Sequence, residues 1–247
     1  MNGRLCVALT VTGAHSEYIN LPESQLVPVP AGIDPAEAVS LVLNYVTAYQ
    51  LMYRAAKVSS GAKVLVRAAA GGVGTAVLQL GRLAGVEMYG SASRPQHALV
   101  ASLGATPIEH SEKPPQVDLS LDPIGGSSWW RSYRALRKHG QLVVYGISAA
   151  LGPQGADRVA AIASFALLGL FQAIPDGKPA HFYSITTMRK QHPDWFREDL
   201  MKLLDMLAAK RMAPMIAARL PLAKASRAHE LLQGGQTIGK LVLLPQE

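Results

Sequence analysis

The stretch VLVRAAAGGVGTAVLQLGRLAG, residues 64–85, constrains the fold of this chain more than any other. An apolar run leads into a turn with three glycines, and an amphipathic segment follows, so the sequence predicts strand, turn and helix in that order. The turn has the spacing A-x-G-x-x-G, a variant of the fingerprint of dinucleotide-binding turns. Small residues there let backbone amides and the helix amino terminus approach a pyrophosphate. The predicted contacts are Ala69, Gly71, Gly72, Val73 and Gly74.

The end of the second predicted strand bears on which dinucleotide binds. About 20 residues after the turn, an acidic side chain would accept the ribose 2′-hydroxyl of NAD. Ser91 stands at this place, followed by Ser93, Arg94 and His97, so no carboxylate repels a 2′-phosphate and Arg94 can pair with it. The sequence therefore favours NADPH over NADH. Three alternatives stay open: a turn that binds no ligand, Arg94 as an ordinary exposed arginine, and Ser93 as a helix N-cap.

Strands and helices alternate along the middle of the chain. This order indicates right-handed βαβ units, hence an α/β protein with a doubly wound parallel sheet, the Rossmann fold. The predicted strands are residues 64–67, 86–91, 119–121 and 142–145, and the predicted helices are residues 75–84, 96–103 and 127–138.

The flanking segments have their own signals. Asp34 is predicted to cap a helix that runs to about Ala56, with Pro35 in its first turn and Glu37 completing a capping box. Short strands are predicted over residues 5–10 and 16–21. After Gly146 we expect an apolar helix over residues 159–174, a strand over 181–185, helices over 194–210 and 224–233, and a closing strand in GKLVLLP.

Charge and composition limit the partners. The 247 residues carry a net charge of +7, which suits an anionic partner, and their charged fraction of 17% is below the roughly 25% of average domains. This low fraction favours self-association. Arg131, Arg134, Arg137 and Lys138 are predicted to share one helix face, which we interpret as solvated surface, because no interleaved aromatics suggest a nucleic-acid site.

Several function classes lack their residues. Cys6 is the only cysteine, which excludes an internal disulfide and a cysteine-rich zinc site and fits a reducing cytoplasm. The seven histidines form no H-x-x-x-H pair, so we expect no metal. The longest apolar stretch, residues 159–174, is shorter than the ~20 residues that span a bilayer. Neither a G-x-S-x-G elbow nor a Walker loop is present.

Ordered motifs give the chain a family resemblance. The segments LVLNYVTAYQLMYRAAKVSSGAKVLVRAAAGGVG, LDPIGG, LVVYG and IGKLVLLP follow one another as in the zinc-independent medium-chain dehydrogenase/reductase superfamily, in its quinone oxidoreductase (zeta-crystallin-like) group. NYVTAY, AAGGVG and DPIGG most resemble the synaptic vesicle amine transport protein-like branch. The resemblance extends from about Arg4 to Pro245.

The resemblance also implies a domain division. Family chains start with a GroES-like β-barrel domain, and this sequence starts near the end of that domain, so we expect a shortened remnant of it in residues 1–35 and 211–247. Residues 36–210 are the expected dinucleotide-binding domain. Without its barrel partners, KLVLLP is expected to present an unpaired edge. In EHSEKPPQVDLSLDP a short link stands where the family has a further helix.

The implied reaction is hydride transfer from NADPH to a quinone or an α,β-unsaturated carbonyl without zinc. Asn44 and Tyr45 are the expected catalytic residues, contacting the substrate oxygen or supplying a proton. A Tyr45 that packs inward and bonds a backbone group is the alternative, and Thr47 either bonds a carbonyl of its own helix or faces the cofactor. Asp122, Ile124 and Gly125 are assigned to the nicotinamide ribose, and Tyr145, Gly146 and Ile147 to the nicotinamide.

Two further functions stay open. The chain could bind a nucleotide without turnover, because little of the substrate domain is expected, or bind anionic membranes through a basic face. The resemblance implies a homodimer through the edge strand predicted at residues 181–185.

Overall fold

The computed structural model describes residues 3–152, 155–234 and 237–245. Its centre is a six-stranded parallel sheet with the strand order β10-β7-β6-β3-β4-β5. Chain order reverses between β3 and β6, which is the topological switch point of a doubly wound sheet. The predicted fold class is therefore confirmed. The strands are β3 (Lys63–Val66), β4 (Glu87–Ser91), β5 (Thr106–Ile108), β6 (Val117–Asp122), β7 (Leu136–Val144) and β10 (Ala180–Phe182).

Helices cover both faces of this sheet and bury two apolar clusters. Leu51, Leu78 and Leu204 belong to one cluster, and Trp129 and Phe171 belong to the other. The helices are α1 (Pro35–Ser40), α2 (Val46–Tyr49), α3 (Gly72–Ala84), α4 (His97–Ser102), α5 (Ser127–Arg134), α6 (Arg158–Ala173), α7 (Ile185–Gln191), α8 (Pro193–Ala208) and α9 (Ala225–Gln233).

The first helical segment starts as predicted. The Asp34 carboxylate accepts hydrogen bonds from the amides of Ala36 (2.7 Å) and Glu37 (3.4 Å), and Pro35 occupies the first turn. Two π-helical stretches, Leu41–Tyr45 and Gln50–Ala55, flank α2 within this segment. Such stretches are frequent at functional sites, and the first contains both predicted catalytic residues.

The prediction of a helix over residues 127–138 is wrong at the carboxyl end. The helix stops at Arg134, and β7 starts at Leu136, which is buried and pairs with Val117 of β6. Burial of Leu136 in the sheet outweighs the helical spacing of the basic residues. Arg137 and Lys138 therefore lie on a strand, where Arg137 pairs with Asp118, and do not share a helix face with Arg131 and Arg134.

The predicted flanking strands are shorter than expected or absent. Residues 16–21 form no strand, and Tyr18 in this stretch is 89% exposed. β1 (Cys6–Val7) pairs instead with β2 (Val27–Pro28). The strand predicted at 181–185 ends at Phe182, because Ser184 accepts a bond from the Thr187 amide and starts α7. A short hairpin of β8 (Leu151–Gly152) and β9 (Gly155–Ala156) precedes α6.

One edge of the closing strand is paired, and its other edge has no partner strand among the described residues. β12 (Lys240–Leu244) runs parallel to β11 (Ile216–Pro221), a strand that the sequence analysis did not predict. Just before β12, Gly239 forms an isolated parallel bridge with Gly71, and its amide lies 3.4 Å from the Ala70 carbonyl. The end of the chain thus lies against the glycine turn.

Candidate cofactor and active site

The glycine turn joins β3 to α3 at the carboxyl edge of the sheet. Gly71 is the N-cap of α3 and carries no side chain that could cap the first-turn amides, which leaves them for an anion. Gly74 sits so close to the preceding turn that a Cβ there would be 2.3 Å from the Ala68 carbonyl oxygen. Both glycines are therefore placed as a turn that cradles a phosphate requires.

Asn44 lies directly on this turn. A Cβ built on Gly72 would be 2.3 Å from Asn44 Nδ2, so a larger residue would displace the amide. Asn44 is half-buried, and within the described chain its amide has no hydrogen-bond partner. The Asn44 amide is thus a free donor and acceptor beside the predicted phosphate turn. Val73, the residue after Gly72, packs against the core.

Tyr45 packs inward and bonds a backbone group, which is the alternative to a catalytic role. Its side chain is buried, and its hydroxyl donates to the Ala213 carbonyl at 3.3 Å. Burial raises the pKa of the Tyr45 phenol far above its usual value, and a hydrogen bond with Gln79 only partly opposes this. Its catalytic role stays a prediction, and of the two candidates Asn44 is the one with free polar atoms.

Thr47 faces a buried polar network. It hydrogen-bonds the Tyr183 hydroxyl, which donates to Gln50 Oε1 at 2.7 Å, and the Gln50 amide donates to Asp199 at 2.9 Å. The network continues to Arg54, 2.7 Å from Asp199. Thr47 therefore joins the helix to the segment after β10, and its contact with a cofactor stays a prediction.

The residues after β4 are engaged with one another. Arg94 is exposed and pairs with Glu109 at the end of the neighbouring strand. Ser93 donates to Gln96 at 3.0 Å, and the His97 ring lies 3.2 Å from the Ala92 carbonyl. Glu109 would therefore compete with a bound phosphate for the Arg94 guanidinium.

Ser91 is fully buried and lies at a junction of polar groups. Its hydroxyl accepts from Arg67 Nη1 at 3.3 Å and lies 3.0 Å from His110 Nδ1. Arg67 also donates from Nε to Ser132 at 3.2 Å, whereas its buried Nη2 has no partner within the described residues. Burial lowers the pKa of Arg67, the negative charge of Asp122 acts in the opposite direction, and the like charge of Arg131 lowers it further.

Asp122 ends β6 and organises the start of α5. Its carboxylate is fully buried and accepts from the Ile124 amide (2.8 Å), Ser128 (2.7 Å) and Ser132 (2.6 Å). Burial raises the pKa of Asp122, and these three hydrogen bonds and Arg67 act in the opposite direction. All of the observed hydrogen bonds join Asp122 to the β6–α5 loop and to α5 itself. The predicted contact with a ribose therefore stays a prediction.

The loops after β6 and β7 touch at the same edge. Gly125 has φ +100°, which favours glycine, and a Cβ on it would be 3.5 Å from Ile147 Cα. Ala149 donates to the Ile124 carbonyl at 2.8 Å, and the amide of Gly126 donates to buried Ser164 at 3.0 Å. Ile124, Gly125 and Ile147 are therefore brought together as predicted from their strand-end positions.

Gly146 lies against the same loop, because a Cβ there would be 2.9 Å from the Pro123 carbonyl oxygen. The Tyr145 amide donates to the Asp122 carbonyl at 3.2 Å. Burial, with a smaller effect from the Asp122 charge, raises the pKa of the Tyr145 phenol. The uncharged Tyr145 side chain therefore forms part of the carboxyl edge of the sheet.

Sequence reasoning missed Arg67, His110 and Gly239. Arg67 stands in the last position of the predicted strand, where a buried charge is rare, and that mismatch was a usable signal. Gly239 is expected only to precede the closing strand, because its contact with Gly71 joins residues far apart in sequence. It has φ +81°, and a Cβ on it would be 2.2 Å from the Met215 carbonyl oxygen.

Residues 3–152, 155–234 and 237–245 contain no group of three or more histidine, cysteine, aspartate or glutamate side chains arranged to hold a metal ion. None of the helices in these ranges is long and apolar enough to cross a bilayer.

Comparison with known proteins agrees with this architecture. Residues 96–243 match a family model described as zinc-binding dehydrogenase. The mouse synaptic vesicle membrane protein VAT-1 homolog is 28% identical over 98% of the chain, and the chain spans 63% of the length of that protein. A 2-haloacrylate reductase from Burkholderia sp. is also 28% identical over 98% of the chain, and 74% of that protein is covered.

Among solved structures, the quinone oxidoreductase from Thermus thermophilus, crystallised also as a complex with NADPH, superposes with a TM-score of 0.79. It is 28% identical, and the match covers 98% of this chain and 77% of that one. Sequence and structure comparisons thus agree on the fold. The chain belongs to the medium-chain dehydrogenase/reductase superfamily, within the group of quinone oxidoreductases and VAT-1 homologues.

Proposed function

We propose that this protein is an NADPH-dependent oxidoreductase that transfers a hydride to a quinone or to an α,β-unsaturated carbonyl compound. The observation that carries the proposal is the free Asn44 amide on the glycine turn. A nicotinamide dinucleotide whose pyrophosphate lies on that turn would bring its reactive ring near the loops after β6 and β7. The naming of relatives as quinone oxidoreductase and 2-haloacrylate reductase supports the same substrate classes.

The first task of the chain in this proposal is to hold the pyrophosphate. The amides at the start of α3 would donate to it, and the positive end of the helix dipole would favour its charge. Gly71 and Gly74 keep this surface free of side chains, and Gly239 pairs with Gly71. When bound, NADPH supplies the hydride.

The second task is to stabilise the charge that develops on the substrate. Reduction of a carbonyl-activated double bond puts negative charge on the carbonyl oxygen, and a fixed amide donor lowers the energy of that state. We assign this donation to Asn44 Nδ2. Tyr45, with its raised pKa and its bond to Ala213, is assigned to holding the π-helical segment in place.

Gly71 offers a test that separates binding from folding. Gly71→Asp keeps an allowed backbone, φ −76° and ψ 173°, and adds a favoured N-cap, so stability should be unchanged or raised. Its carboxylate would repel the pyrophosphate, so NADPH affinity should fall at least tenfold. Gly71→Asn is the matched control, because it has the same size and capping ability without the charge.

Nucleotide fluorescence titration measures the affinity, and NADPH oxidation with a panel of quinones and enones measures turnover. If Gly71→Asp bound NADPH as tightly as Gly71→Asn does, the turn would not be the pyrophosphate site. Tight binding without oxidation of NADPH by any acceptor would favour a nucleotide-binding protein without turnover.

We also propose the domain division and a homodimer. Residues 36–210 are assigned to the dinucleotide-binding domain, and residues 1–35 and 211–247 to the second domain, since the pairs β1–β2 and β11–β12 lie outside the six-stranded sheet. Among the described strands, β10 lies at the edge of the six-stranded sheet and pairs with β7 alone. The neighbouring face of α6 is apolar and exposed, with Val159 and Ile162 at 77% and 70% exposure. A second copy would cover both.

A further inference from the structure

A cavity of about 320 Å³ opens at the carboxyl edge of the sheet, beside the switch point between β3 and β6. Its lining combines the ends of three strands with the first turn of α5. The volume lies at the small end of the range of about 300–1,000 Å³ for ligand sites, which suits one part of a dinucleotide. The charged or titratable side chains of its lining are Arg67, His110 and Arg131.

The cavity holds the positive charges of Arg67 and Arg131. Arg67 is 98% buried, and its Nη2 has no hydrogen-bond partner in the part of the chain that the structure describes. Arg131 is exposed and forms no ion pair with the described residues, and its charge acts unfavourably on Arg67. Two guanidinium groups facing one space are stabilised when an anion lies between them.

The negative charge of Asp122 acts favourably on Arg67 and so offsets part of this positive charge. Its carboxylate is already bonded to Ile124, Ser128 and Ser132, and it reaches Arg67 only through the Ser132 hydroxyl, which accepts from Arg67 at 3.2 Å. The cavity also receives the amino terminus of α5, which attracts negative charge. An anion would therefore complete the site.

The position of Ser91 identifies the kind of anion. Ser91 stands where a dinucleotide's ribose 2′-oxygen is expected, and its hydroxyl contacts both Arg67 (3.3 Å) and His110 (3.0 Å). A group attached to that oxygen would lie next to these two side chains. Arg94, the contact expected from the sequence, is instead held by Glu109.

We propose that this cavity, through Arg67, His110 and Arg131, binds the 2′-phosphate of NADPH and sets the preference for NADPH over NADH. The inference rests on the proposed function, because it assigns residues within the same cofactor site. It differs from the sequence interpretation in moving phosphate recognition from Arg94 to the other side of Ser91.

The experiment measures four dissociation constants for each protein, those of NADPH, NADH, 2′,5′-ADP and 5′-AMP, with the last two measured by competition. The last two differ only in the 2′-phosphate and need no turnover. Arg131→Gln and His110→Gln alter exposed residues, so folding should persist. Each variant should weaken the binding of NADPH and of 2′,5′-ADP about tenfold. The dissociation constants of NADH and 5′-AMP should stay within about twofold of the wild-type values.

Arg94→Gln is the matched control, an equally simple change of an exposed arginine, and it should leave the NADPH preference within about twofold. Arg67→Met should abolish the preference if it folds, which thermal unfolding checks. The proposal is overturned if the wild type binds NADPH and NADH equally, or if Arg94→Gln removes the preference while Arg131→Gln and His110→Gln do not. Absence of binding to all four ligands would overturn the proposed function as well.

Discussion

Gly239, near the end of the chain, forms a parallel β-bridge with Gly71, the N-cap of α3, and so joins the last strand pair to the glycine turn. The contact needs a glycine, since Gly239 has φ +81° and a Cβ on it would be 2.2 Å from the Met215 carbonyl oxygen. This relationship makes the closing segment part of the candidate cofactor site.

Gly239→Ala should therefore lower both stability and NADPH affinity. The left-handed backbone alone costs about 1–2 kcal/mol for alanine, and the overlap with the backbone at Met215 forces the segment away from Gly71. Denaturant unfolding and NADPH titration measure the two effects. Gly234→Ala is the control, because Gly234 has φ −64° and a Cβ there has no neighbour closer than 3.5 Å. Equal behaviour of the two variants would contradict the prediction.

Local signals predicted the centre of the fold correctly. Apolar runs bounded by glycines identified β3, β4, β6 and the end of β7, because a strand buried on both faces needs such a run wherever it lies. The start of β7 was missed, because residues around Leu136 have basic side chains at helical spacing. Only the partner strand β6 decides that Leu136 is in a sheet.

The candidate site was predictable in part for the same reason. Strand ends and glycine turns are local, so the residues after β3, β4, β6 and β7 were found at one edge. Which side chains are free at that edge depends on contacts from distant segments. Glu109 engages Arg94, and Ala213 accepts from Tyr45, and neither contact leaves a trace in the local sequence.

Replacing Asn44 should lower turnover and leave folding largely intact. Asn44→Leu keeps the size and removes the amide that we assign to the substrate oxygen, so kcat should fall roughly 100-fold, the effect of losing one oxyanion donor. Steady-state kinetics with the best quinone or enone measure this change.

The control is the neighbouring residue. Tyr45→Phe removes the hydroxyl that donates to Ala213 and should cost about 0.5–1.5 kcal/mol of stability with kcat within about threefold. If Tyr45→Phe lost activity while Asn44→Leu kept it, the two roles would have to be exchanged.

Asp34 makes the stability of the protein dependent on acid pH. Burial acts to raise the pKa of Asp34, but the hydrogen bonds from Arg219 and the Ala36 amide outweigh it, so the pKa lies below its usual value. A carboxylate with a lowered pKa contributes stability above its unfolded pKa near about 3.9, and this is lost as pH falls through the lower folded value.

Asp34→Ala should therefore destabilise the protein by about 1 kcal/mol at pH 7 and by less below about pH 4. Urea unfolding at pH 7 and pH 3 measures the difference. Asp34→Asn retains an N-cap and removes the charge, so its deficit at pH 7 should be smaller. A deficit of Asp34→Ala that is the same at both pH values would show that the charge of Asp34 does not contribute.

The proposed dimer should depend on the apolar face of α6. Ile162 is 70% exposed, and Phe165 stacks edge-on against Phe182 of the edge strand with ring centroids 5.3 Å apart, so this face continues into β10. Ile162→Lys places a charge where a second copy would bury it and should produce monomers, because a buried unpaired charge costs several kcal/mol. Sedimentation equilibrium measures the mass. Tyr18→Lys, at a more exposed hydrophobic site in another segment, should leave the dimer unchanged, and a dimer that tolerates Ile162→Lys would exclude this face as the interface.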